Sequence, residues 1–230
     1  SAIKRSYVDQ AALKAAGWED VRTKYVRNAR YRSMQDAADA VKEMVPLVGD
    51  HWTRYLPKEQ LQAAQQRYKD DKATDEDGTR LLTTRTKGGK AIGLLRIPRM
   101  AGATGTAVRQ ILSGMEPVDS LYLDLRGNLG GSFDVGVQVA SAFLPQGSRV
   151  VSVQRQSGPE ESFDALEEGL QTEVPLHVLV DQNTASAAEI LTAALRDNGR
   201  ADVLGAPTYG KGLVQTLVRL GDQSGVEVTV

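Results

Sequence analysis

Ser186 and Lys211 are the two residues of this chain whose types and settings best suit covalent chemistry. Ser186 follows the turn QNTA and begins an alanine-rich segment, and Lys211 stands between two glycines in YGKG. A serine hydroxyl becomes a nucleophile only when another group removes its proton. A lysine amine can remove it when burial or nearby positive charge keeps the amine neutral. If the fold brings the two residues together, they could act as a nucleophile and its general base.

Each of these residues also has a plain structural interpretation. Ser186 and Glu189 have the S-x-x-E spacing of a capping box, and Gly199 is typical of the position just after a helix. A serine at such a position is most often a cap. Lys211 could equally be a surface lysine in a loop. The local pattern alone leaves both interpretations open.

Two further residues bear on how a serine would be activated. His177 is an alternative base, but it lies inside the apolar run VPLHVLV, where a packed or hydrogen-bonded histidine is the simpler interpretation. Gln215 lies four residues after Lys211. Its amide could hold the lysine amine by a neutral hydrogen bond, without raising the pKa of the amine as a carboxylate would.

The segments around these residues predict an α/β core. AIGLLRI, LYLDL, RVVSVQR, VPLHVLV and DVLGA read as strands, and amphipathic helices are expected between strands, as at 104–114. LVQTLVRL and VEVTV are expected to form a hairpin through GDQSG. Strands that alternate with helices indicate a sheet with helices packed on it. The loops RGNLGG, QNTAS and PTYGKG then follow the carboxyl ends of strands, where such sheets bind ligands.

The RGNLGG loop has two interpretations. It matches neither the dinucleotide-binding pattern nor the P-loop pattern. It could be a tight turn between a strand and a helix. Alternatively, its glycines could let backbone N–H groups approach a developing oxyanion, with the N-terminus of the following helix adding favourable polarity.

Composition argues against several other classes of function. The 230-residue chain has 28 Lys and Arg against 29 Asp and Glu, so a broad attraction to nucleic acid or anionic membranes is not expected. No apolar run is long enough to span a bilayer. The absence of cysteine excludes thiol catalysis, and His51 and His177 form no recognisable metal-binding motif. Neither a metal nor another cofactor is therefore expected.

Four ordered segments resemble the carboxyl-terminal processing proteases. They are VGDHWTRYLPKEQ, LDLRGNLGG, TASAAEILTAALRDNGRADVLG and PTYGKGLVQ, and the likeness is good over residues 91–230. This family consists of S41 serine peptidases with a Ser/Lys active site, and it includes the enzyme that trims the photosystem II D1 protein. The resemblance implies an α/β protease core of the crotonase-like (ClpP/crotonase) type, capped by N-terminal helices.

The resemblance also implies roles in catalysis. Ser186 would be the nucleophile, Lys211 the general base, and Gln215 the residue that positions Lys211. Glu189 would be a structural cap. Hydrolysis would pass through an acyl-enzyme, with neutral Lys211 taking the serine proton and returning it to the leaving amine.

An oxyanion hole is implied in the same way. It would use the backbone N–H of Ala187 and that of a glycine in RGNLGG, with Gly131 preferred and Gly130 possible. Asp124 and Arg126 would support this loop rather than take part in the chemistry.

The chain departs from the family in its domain organisation. Family members normally carry a PDZ domain after the segment that matches RYLPKEQ, but only about thirty residues separate Gln60 from AIGLLRI. We therefore expect a helical region at 1–68, a charged linker at 69–90 in place of the PDZ domain, and a catalytic core at 91–230. The run KDDKATDEDGT in this linker predicts a solvated loop or hairpin.

Together these features predict a PDZ-less serine endopeptidase that cleaves near protein C-termini through a Ser/Lys dyad. Its partners would be proteins or peptides with exposed C-terminal segments. Because family members act outside the cytoplasm, the resemblance implies the periplasm or the thylakoid lumen. The two rival functions are a non-catalytic interaction protein on the same fold and a crotonase-type acyl-CoA enzyme that uses the glycine loop as its oxyanion hole.

Overall fold

The chain divides into two compact units, each of which has its own core. The computed structural model describes residues 7, 9–50, 52–73, 78–154, 159–170 and 173–229. The N-terminal unit, as we call it, comprises Ser1–Gln66, Gln154–Glu160 and Leu213–Val230. The sheet unit comprises Arg67–Val153 and Glu161–Gly212.

The described residues form α-helices, strands and two shorter helical turns. The α-helices are α1 (Gln10–Ala15), α2 (Trp18–Arg22), α3 (Met34–Met44), α4 (Lys58–Ala73), α5 (Thr104–Ser113), α6 (Phe133–Ser141) and α7 (Ala187–Asp197). The strands are β1 (Arg54–Leu56), β2 (Arg80–Arg85), β3 (Ala91–Arg96), β4 (Ser120–Asp124), β5 (Arg149–Val153), β6 (Glu161–Asp164), β7 (Leu176–Val180), β8 (Ala201–Gly205), β9 (Gln215–Arg219) and β10 (Gly225–Thr229). A π-helical turn, Thr23–Arg27, follows α2, and a 3-10 turn, Val45–Val48, follows α3. In this described part of the chain no helix combines the length and the apolar character that a membrane span requires.

A five-stranded sheet organises the sheet unit. Its strand order is β2-β3-β4-β7-β8, in which β3, β4, β7 and β8 are parallel and β2 is antiparallel to β3. Alternate residues of β3 are buried, as expected for a strand with one face on the core. Because β4, β7 and β8 are parallel neighbours, the loops that follow them leave the same edge of the sheet.

The core of the sheet unit joins the strands to three amphipathic helices. Leu123 on β4 is fully buried, and so are Val108 on α5, Val139 on α6 and Leu191 on α7. These side chains belong to one continuous apolar cluster. The helices are therefore held against the sheet by burial of their apolar faces, and this packing sets where α7 begins.

The N-terminal unit contains a three-stranded antiparallel sheet with the order β1-β10-β9. Its apolar cluster includes Trp18 and Val228. The hydroxyls of Thr53 and Thr229 donate to the carboxylate of Asp50 at 2.7 and 2.6 Å, respectively. A polar network thus links the segment before β1 to the strand β10.

Most of the strands and helices predicted from the sequence are confirmed. AIGLLRI, LYLDL, VPLHVLV and DVLGA coincide with β3, β4, β7 and β8 to within one or two residues at their ends, and the helix predicted at 104–114 is α5. The predicted hairpin of β9 and β10 is also present. Sequence analysis does not identify β1, β2 or β6, because these strands are short or largely solvent-exposed and lack a clear apolar alternation.

The charged run differs from the prediction of a loop or hairpin. Its residues 69–73 form the last turns of α4, and residues 74–77 lie outside the described part of the chain. No glycine or proline interrupts the sequence between Pro57 and Gly78. The helix that begins after Pro57 can therefore extend into the charged residues.

The expected domain limits stay a prediction, and the compact units divide the chain at other positions. Strand β2 occupies 80–85 of the expected linker and joins the sheet by pairing with β3. Residues 213–230 group with the N-terminal unit. The reason is strand pairing, because β10 pairs with both β9 and β1.

Leu123→Ala tests the position of β4 at the centre of the sheet unit. Leu123 is fully buried, so its truncation should lower the free energy of unfolding by about 2–5 kcal/mol through lost burial and a residual cavity. Leu82→Ala on β2 is the control, because Leu82 is 54% exposed and its truncation should cost about 0.5 kcal/mol or less. Chemical denaturation measures both values, and equal losses would contradict the central position of β4.

Candidate active site

Three loops follow parallel strands of the sheet unit at its carboxyl edge. We call residues 125–132 after β4 the glycine loop, residues 181–186 after β7 the serine loop, and residues 206–212 after β8 the lysine loop. The loops lie side by side because β4, β7 and β8 are neighbours in the sheet. The strand order of the sheet thus brings together three loops that are far apart in the sequence.

The glycine loop and the serine loop are joined by hydrogen bonds in both directions. The N–H of Ala185 donates to the carbonyl oxygen of Asn128 at 2.9 Å. The N–H of Gly127 donates to the carboxylate of Asp181 at 3.0 Å. The bond from Gly127 lowers the pKa of Asp181, so this carboxylate is ionised at neutral pH. The two loops therefore form one braced surface.

Ser186 occupies a strained turn between β7 and α7. Its backbone has φ 56° and ψ −122°, in a region that residues other than glycine rarely adopt. Such strain persists only where the surroundings hold it, and it is concentrated at functional sites. Serine hydrolases of the α/β-hydrolase fold place the nucleophile on a similar sharp turn from strand to helix. The backbone of Ser186 thus differs from the extended conformation of an ordinary N-cap.

The carboxylate of Glu189 connects the serine loop to the lysine loop. Its Oε2 accepts the backbone N–H of Ser186 at 2.7 Å and that of Lys211 at 2.9 Å. Its Oε1 accepts the hydroxyl of Thr208 and the N–H of Gly210, both at 2.7 Å. The backbone nitrogens of Ser186 and Lys211 therefore lie within two hydrogen-bond lengths of each other. Glu189 makes the capping-box contact that the sequence predicts, and it also holds the lysine loop.

These hydrogen bonds determine the charge of Glu189. Burial raises the pKa of its carboxyl, but the bonds from Thr208, Gly210, Ser186 and Lys211 together lower it below its usual value. The carboxylate is therefore ionised at neutral pH and can accept from all four donors. Hydrogen bonds to an ionised acceptor are the stronger kind, so the link between the loops is firm.

The two successive glycines of the glycine loop, Gly130 and Gly131, differ in burial. Gly130 is buried, and a methyl group there would lie 2.9 Å from Cβ of Ser186 and 2.6 Å from the carbonyl oxygen of Ala185. Only glycine can therefore pass this close to the serine. Its N–H donates to the side chain of Asn128 at 2.8 Å. Gly131 is exposed, and its φ of 141° also requires glycine.

Asp124 and two arginines brace the start of the glycine loop. Asp124 is 2% exposed at the end of β4, and it accepts from Arg126 Nε and Arg96 Nη1, each at 2.8 Å. Burial raises the pKa of Asp124, but Arg126 and Arg96 outweigh this and lower it. The carboxylate is thus ionised and paired, as expected for a group that supports the loop.

His177 and Gln215 both lie in strands and not in the three loops. His177 lies within β7, in register with Tyr122 and Asp202. Its ring centroid is 4.9 Å from that of Tyr122, and its Nδ1 is 3.6 Å from Asp202 Oδ2, which favours the interpretation as a packed histidine. Gln215 begins β9 in the N-terminal unit, where its side-chain amide donates to the carbonyl oxygen of Trp52.

Comparison with known proteins identifies the family. The sequence profile of peptidase family S41 matches residues 91–230, which is more than half of the chain. The chain belongs to peptidase family S41. Over 144 residues this S41 chain is 43% identical to the carboxyl-terminal-processing protease of Synechocystis sp., a match that covers 62% of this chain and 33% of that protein. Over 142 residues it is 40% identical to carboxyl-terminal-processing peptidase 2, chloroplastic, of Arabidopsis thaliana, covering 60% and 27%, respectively.

The chain spans a third or less of the length of these curated S41 relatives in the matched regions. A solved structure of the photosystem II D1 C-terminal processing protease matches with a TM-score of 0.79 and 23% identity, covering 100% of this chain and 84% of that chain. This likeness establishes a shared fold. The predicted resemblance to carboxyl-terminal processing proteases and the predicted α/β fold class are both confirmed.

Sequence analysis misses the residues that hold the loops of this S41 site together. It singles out Ser186 and Lys211, but it treats Glu189 only as a cap and assigns no role to Asn128 or Asp181. The S-x-x-E pattern is the signal that draws attention to Glu189. Asn128 bonds to Ile97 and Ala185, and Asp181 bonds to Gly127. These partners lie in distant segments, so no local pattern reveals that the two residues join the loops.

Glu189→Gln tests the link between the serine and lysine loops. The amide keeps one acceptor oxygen but turns a donor toward backbone N–H groups, so the free energy of unfolding should fall by about 2 kcal/mol at pH 7. Glu116→Gln, at an exposed glutamate, is the matched control and should have little effect.

The stabilisation from Glu189 should also depend on pH. Because the folded-state pKa is lowered, this stabilisation is complete above the unfolded pKa of about 4.3 and is lost as pH falls through the folded-state value. Denaturation of the parent and the Glu189→Gln variant at a series of pH values should therefore show their difference shrinking in acid. A difference that stays constant down to strongly acidic pH would refute an ionised carboxylate at this position.

Proposed function

We propose that this chain carries the active site of a serine endopeptidase that cleaves near protein C-termini, with Ser186 as nucleophile and Lys211 as general base. The observation that carries the proposal is the carboxylate of Glu189, whose Oε2 accepts both the Ser186 and the Lys211 backbone N–H. Membership of peptidase family S41 supports the peptidase activity. The strained φ of 56° at Ser186 supports its role as the presented hydroxyl.

The reaction begins with transfer of a proton from Ser186. The neutral amine of Lys211 takes the proton from Oγ as the new Oγ–C bond forms with the scissile carbonyl carbon. Lys211 then gives this proton to the leaving nitrogen, and the C–N bond breaks to leave an ester on Ser186. In the second half, water adds to the ester carbonyl and loses its proton to Lys211, which returns it to Ser186 Oγ as the ester bond breaks.

The oxyanion formed in both halves would be held by the backbone N–H groups of Ala187 and Gly131. Ala187 is the first residue of α7, so its N–H belongs to the positively polarised helix N-terminus. The N–H of Gly130 already donates to Asn128, which favours Gly131 as the second donor. Two donors preorganised in this way stabilise charge that develops in the transition state.

The substrate class and the cellular location of this protein are inferred from its relatives. The names of the matched proteins from Synechocystis sp. and Arabidopsis thaliana describe carboxyl-terminal processing. We therefore infer that the substrates are proteins or peptides with accessible C-terminal segments, and that the protein acts outside the cytoplasm, in the periplasm or a thylakoid lumen. Gln215 is assigned to hold the amine of Lys211, a role supported by the resemblance of PTYGKGLVQ to the family segment.

Ser186→Ala and Lys211→Ala test the dyad. Either change should lower kcat for a C-terminal peptide substrate by about 10⁴-fold or more, because each removes one member of a unit that acts together. Lys211→Arg should be equally inactive, since a guanidinium stays protonated and cannot accept the serine proton. Cleavage of a fluorogenic peptide measures the rates.

Matched controls for the dyad are Ser113→Ala and Lys90→Ala, both at exposed positions. These controls should keep full activity and full labelling by a serine-directed acylating probe, whereas Ser186→Ala should lose that labelling. Retained cleavage in purified Ser186→Ala would disprove the proposed mechanism. Tight binding of a CoA thioester without peptide cleavage would favour the acyl-CoA alternative.

Gln215→Glu tests the assignment of Gln215. A carboxylate beside the amine would favour the charged form of the amine, which cannot accept the serine proton. The rising limb of the pH–rate profile should therefore move up by about 1 pH unit or more. Gln110→Glu, at an exposed glutamine on α5, is the control and should leave the profile unchanged. An unchanged profile in Gln215→Glu would show that Gln215 does not contact Lys211 during catalysis.

A further inference from the structure

Asn128 is a fully buried polar residue at the centre of the glycine loop, and the mechanism above gives it no step. Its exposed fraction is 0%. Its Nδ2 donates to the carbonyl oxygen of Ile97 at 2.8 Å, and its Oδ1 accepts the N–H of Gly130 at 2.8 Å. Its own carbonyl oxygen accepts the N–H of Ala185 at 2.9 Å. One amide side chain thus ties the glycine loop to the segment after β3, and its backbone ties the same loop to the serine loop.

The contact with Asn128 occupies the N–H of Gly130. Gly130 is buried, and its Cα faces Ser186, with an added methyl group meeting the serine Cβ at 2.9 Å. By position alone, this N–H would compete with that of Gly131 for an oxyanion on Ser186. Because its hydrogen is already donated to Asn128, it has none left to offer.

The backbone N–H of the next residue, Gly131, is not donated in this way. Gly131 forms an isolated parallel bridge with Met100, in which Met100 N–H donates to Gly130 and Ser132 N–H donates to Met100, both at 2.9 Å. In a parallel bridge of this pattern the N–H of the central residue points away from the partner chain. Gly131 is exposed, and among the described residues its N–H has no acceptor. Its hydrogen is therefore available to a ligand.

We infer that Asn128 is a positioning residue that withdraws the Gly130 N–H from the site and thereby makes Gly131 the donor of the oxyanion hole. This inference rests on the peptidase function proposed above. The mechanism needs a loop of two successive glycines, because the chain must pass close to Ser186, and such a loop offers two neighbouring N–H groups. Asn128 leaves one of these N–H groups for the oxyanion, because its side chain accepts the N–H of Gly130 and anchors the loop to Ile97.

Asn128→Leu tests this role through catalysis. Leucine is close in size but makes neither side-chain hydrogen bond, so the loop should lose its fixed donor. We expect kcat to fall about 10–100-fold with KM changed by about twofold or less, because only the transition state uses the donor. The affinity for a peptide aldehyde, whose adduct with Ser186 carries the oxyanion, should fall by the same factor as kcat.

Asn128→Asp provides a second variant with a pH signature. When neutral, the carboxylic acid can accept from Gly130 and donate to Ile97, as asparagine does. When ionised, it cannot donate and faces the Ile97 carbonyl oxygen. The activity of this variant relative to the parent should therefore rise as pH falls. A purely structural role would lower the amount of folded protein without this pH-dependent ratio.

The control for loss of side-chain hydrogen bonds is Asn198→Leu. The Nδ2 of Asn198 donates to two backbone carbonyl oxygens, of Arg149 and Ala194, at the far end of α7. This variant also loses side-chain hydrogen bonds to the backbone, but its kcat per folded molecule should match the parent. Thermal melting of each variant gives the folded fraction by which its rate is corrected.

Amide hydrogen exchange of the ¹⁵N-glycine-labelled chain tests the geometry without any turnover. In the parent, the Gly130 amide should exchange at least about tenfold more slowly than that of Gly131, and Asn128→Leu should remove this difference. Addition of the peptide aldehyde should shift the amide signals of Gly131 and Ala187 but not that of Gly130.

The outcomes separate this inference from the proposed function. An unchanged kcat in folded Asn128→Leu, or an aldehyde-induced shift at Gly130 in place of Gly131, would overturn the role of Asn128 while leaving the peptidase intact. If the parent neither cleaves peptide nor binds the aldehyde, the proposed function is wrong, and the assignment of an oxyanion donor falls with it.

Discussion

The carboxylate of Glu189 is the contact on which the candidate active site depends. It accepts a hydrogen bond from Ser186 of the serine loop. It also accepts from three residues of the lysine loop, Thr208, Gly210 and Lys211. A loop with two glycines has little conformational preference of its own. The ionised carboxylate supplies what the loop lacks, because charged acceptors form the strongest hydrogen bonds to backbone N–H groups.

The strain at Ser186 has a physical explanation in the same contacts. A positive φ at a residue other than glycine persists only where neighbouring structure outweighs its cost. Here α7 is held in the core by Leu191, β7 is paired on both sides, and Glu189 holds the Ser186 N–H. The turn between strand and helix is therefore fixed at both ends, and the hydroxyl is placed by packing that lies outside the loop.

The glycine loop shows how a polar side chain can organise a backbone site. Its glycines are needed for close approach to Ser186, yet the same freedom would allow the loop several conformations. Asn128 and Asp124 restrict it from inside, the first through an amide that bonds to two backbone groups and the second through an arginine-paired carboxylate. Both side chains are buried, so the loop is shaped by the protein interior rather than by solvent.

The sequence by itself determined the α/β class, most of the strands, the helix that begins after Ser186 and the family resemblance. Apolar periodicity and short ordered motifs carry this information, because both are local. It also singled out Ser186 and Lys211, whose settings are visible in a few neighbouring residues. Only the tertiary structure decided that Glu189 joins the two loops, that Asn128 anchors the glycine loop to Ile97, and that residues 213–230 group with the N-terminal unit. These features arise from hydrogen bonds and strand pairing between segments far apart in the chain, for which a single sequence has no local pattern.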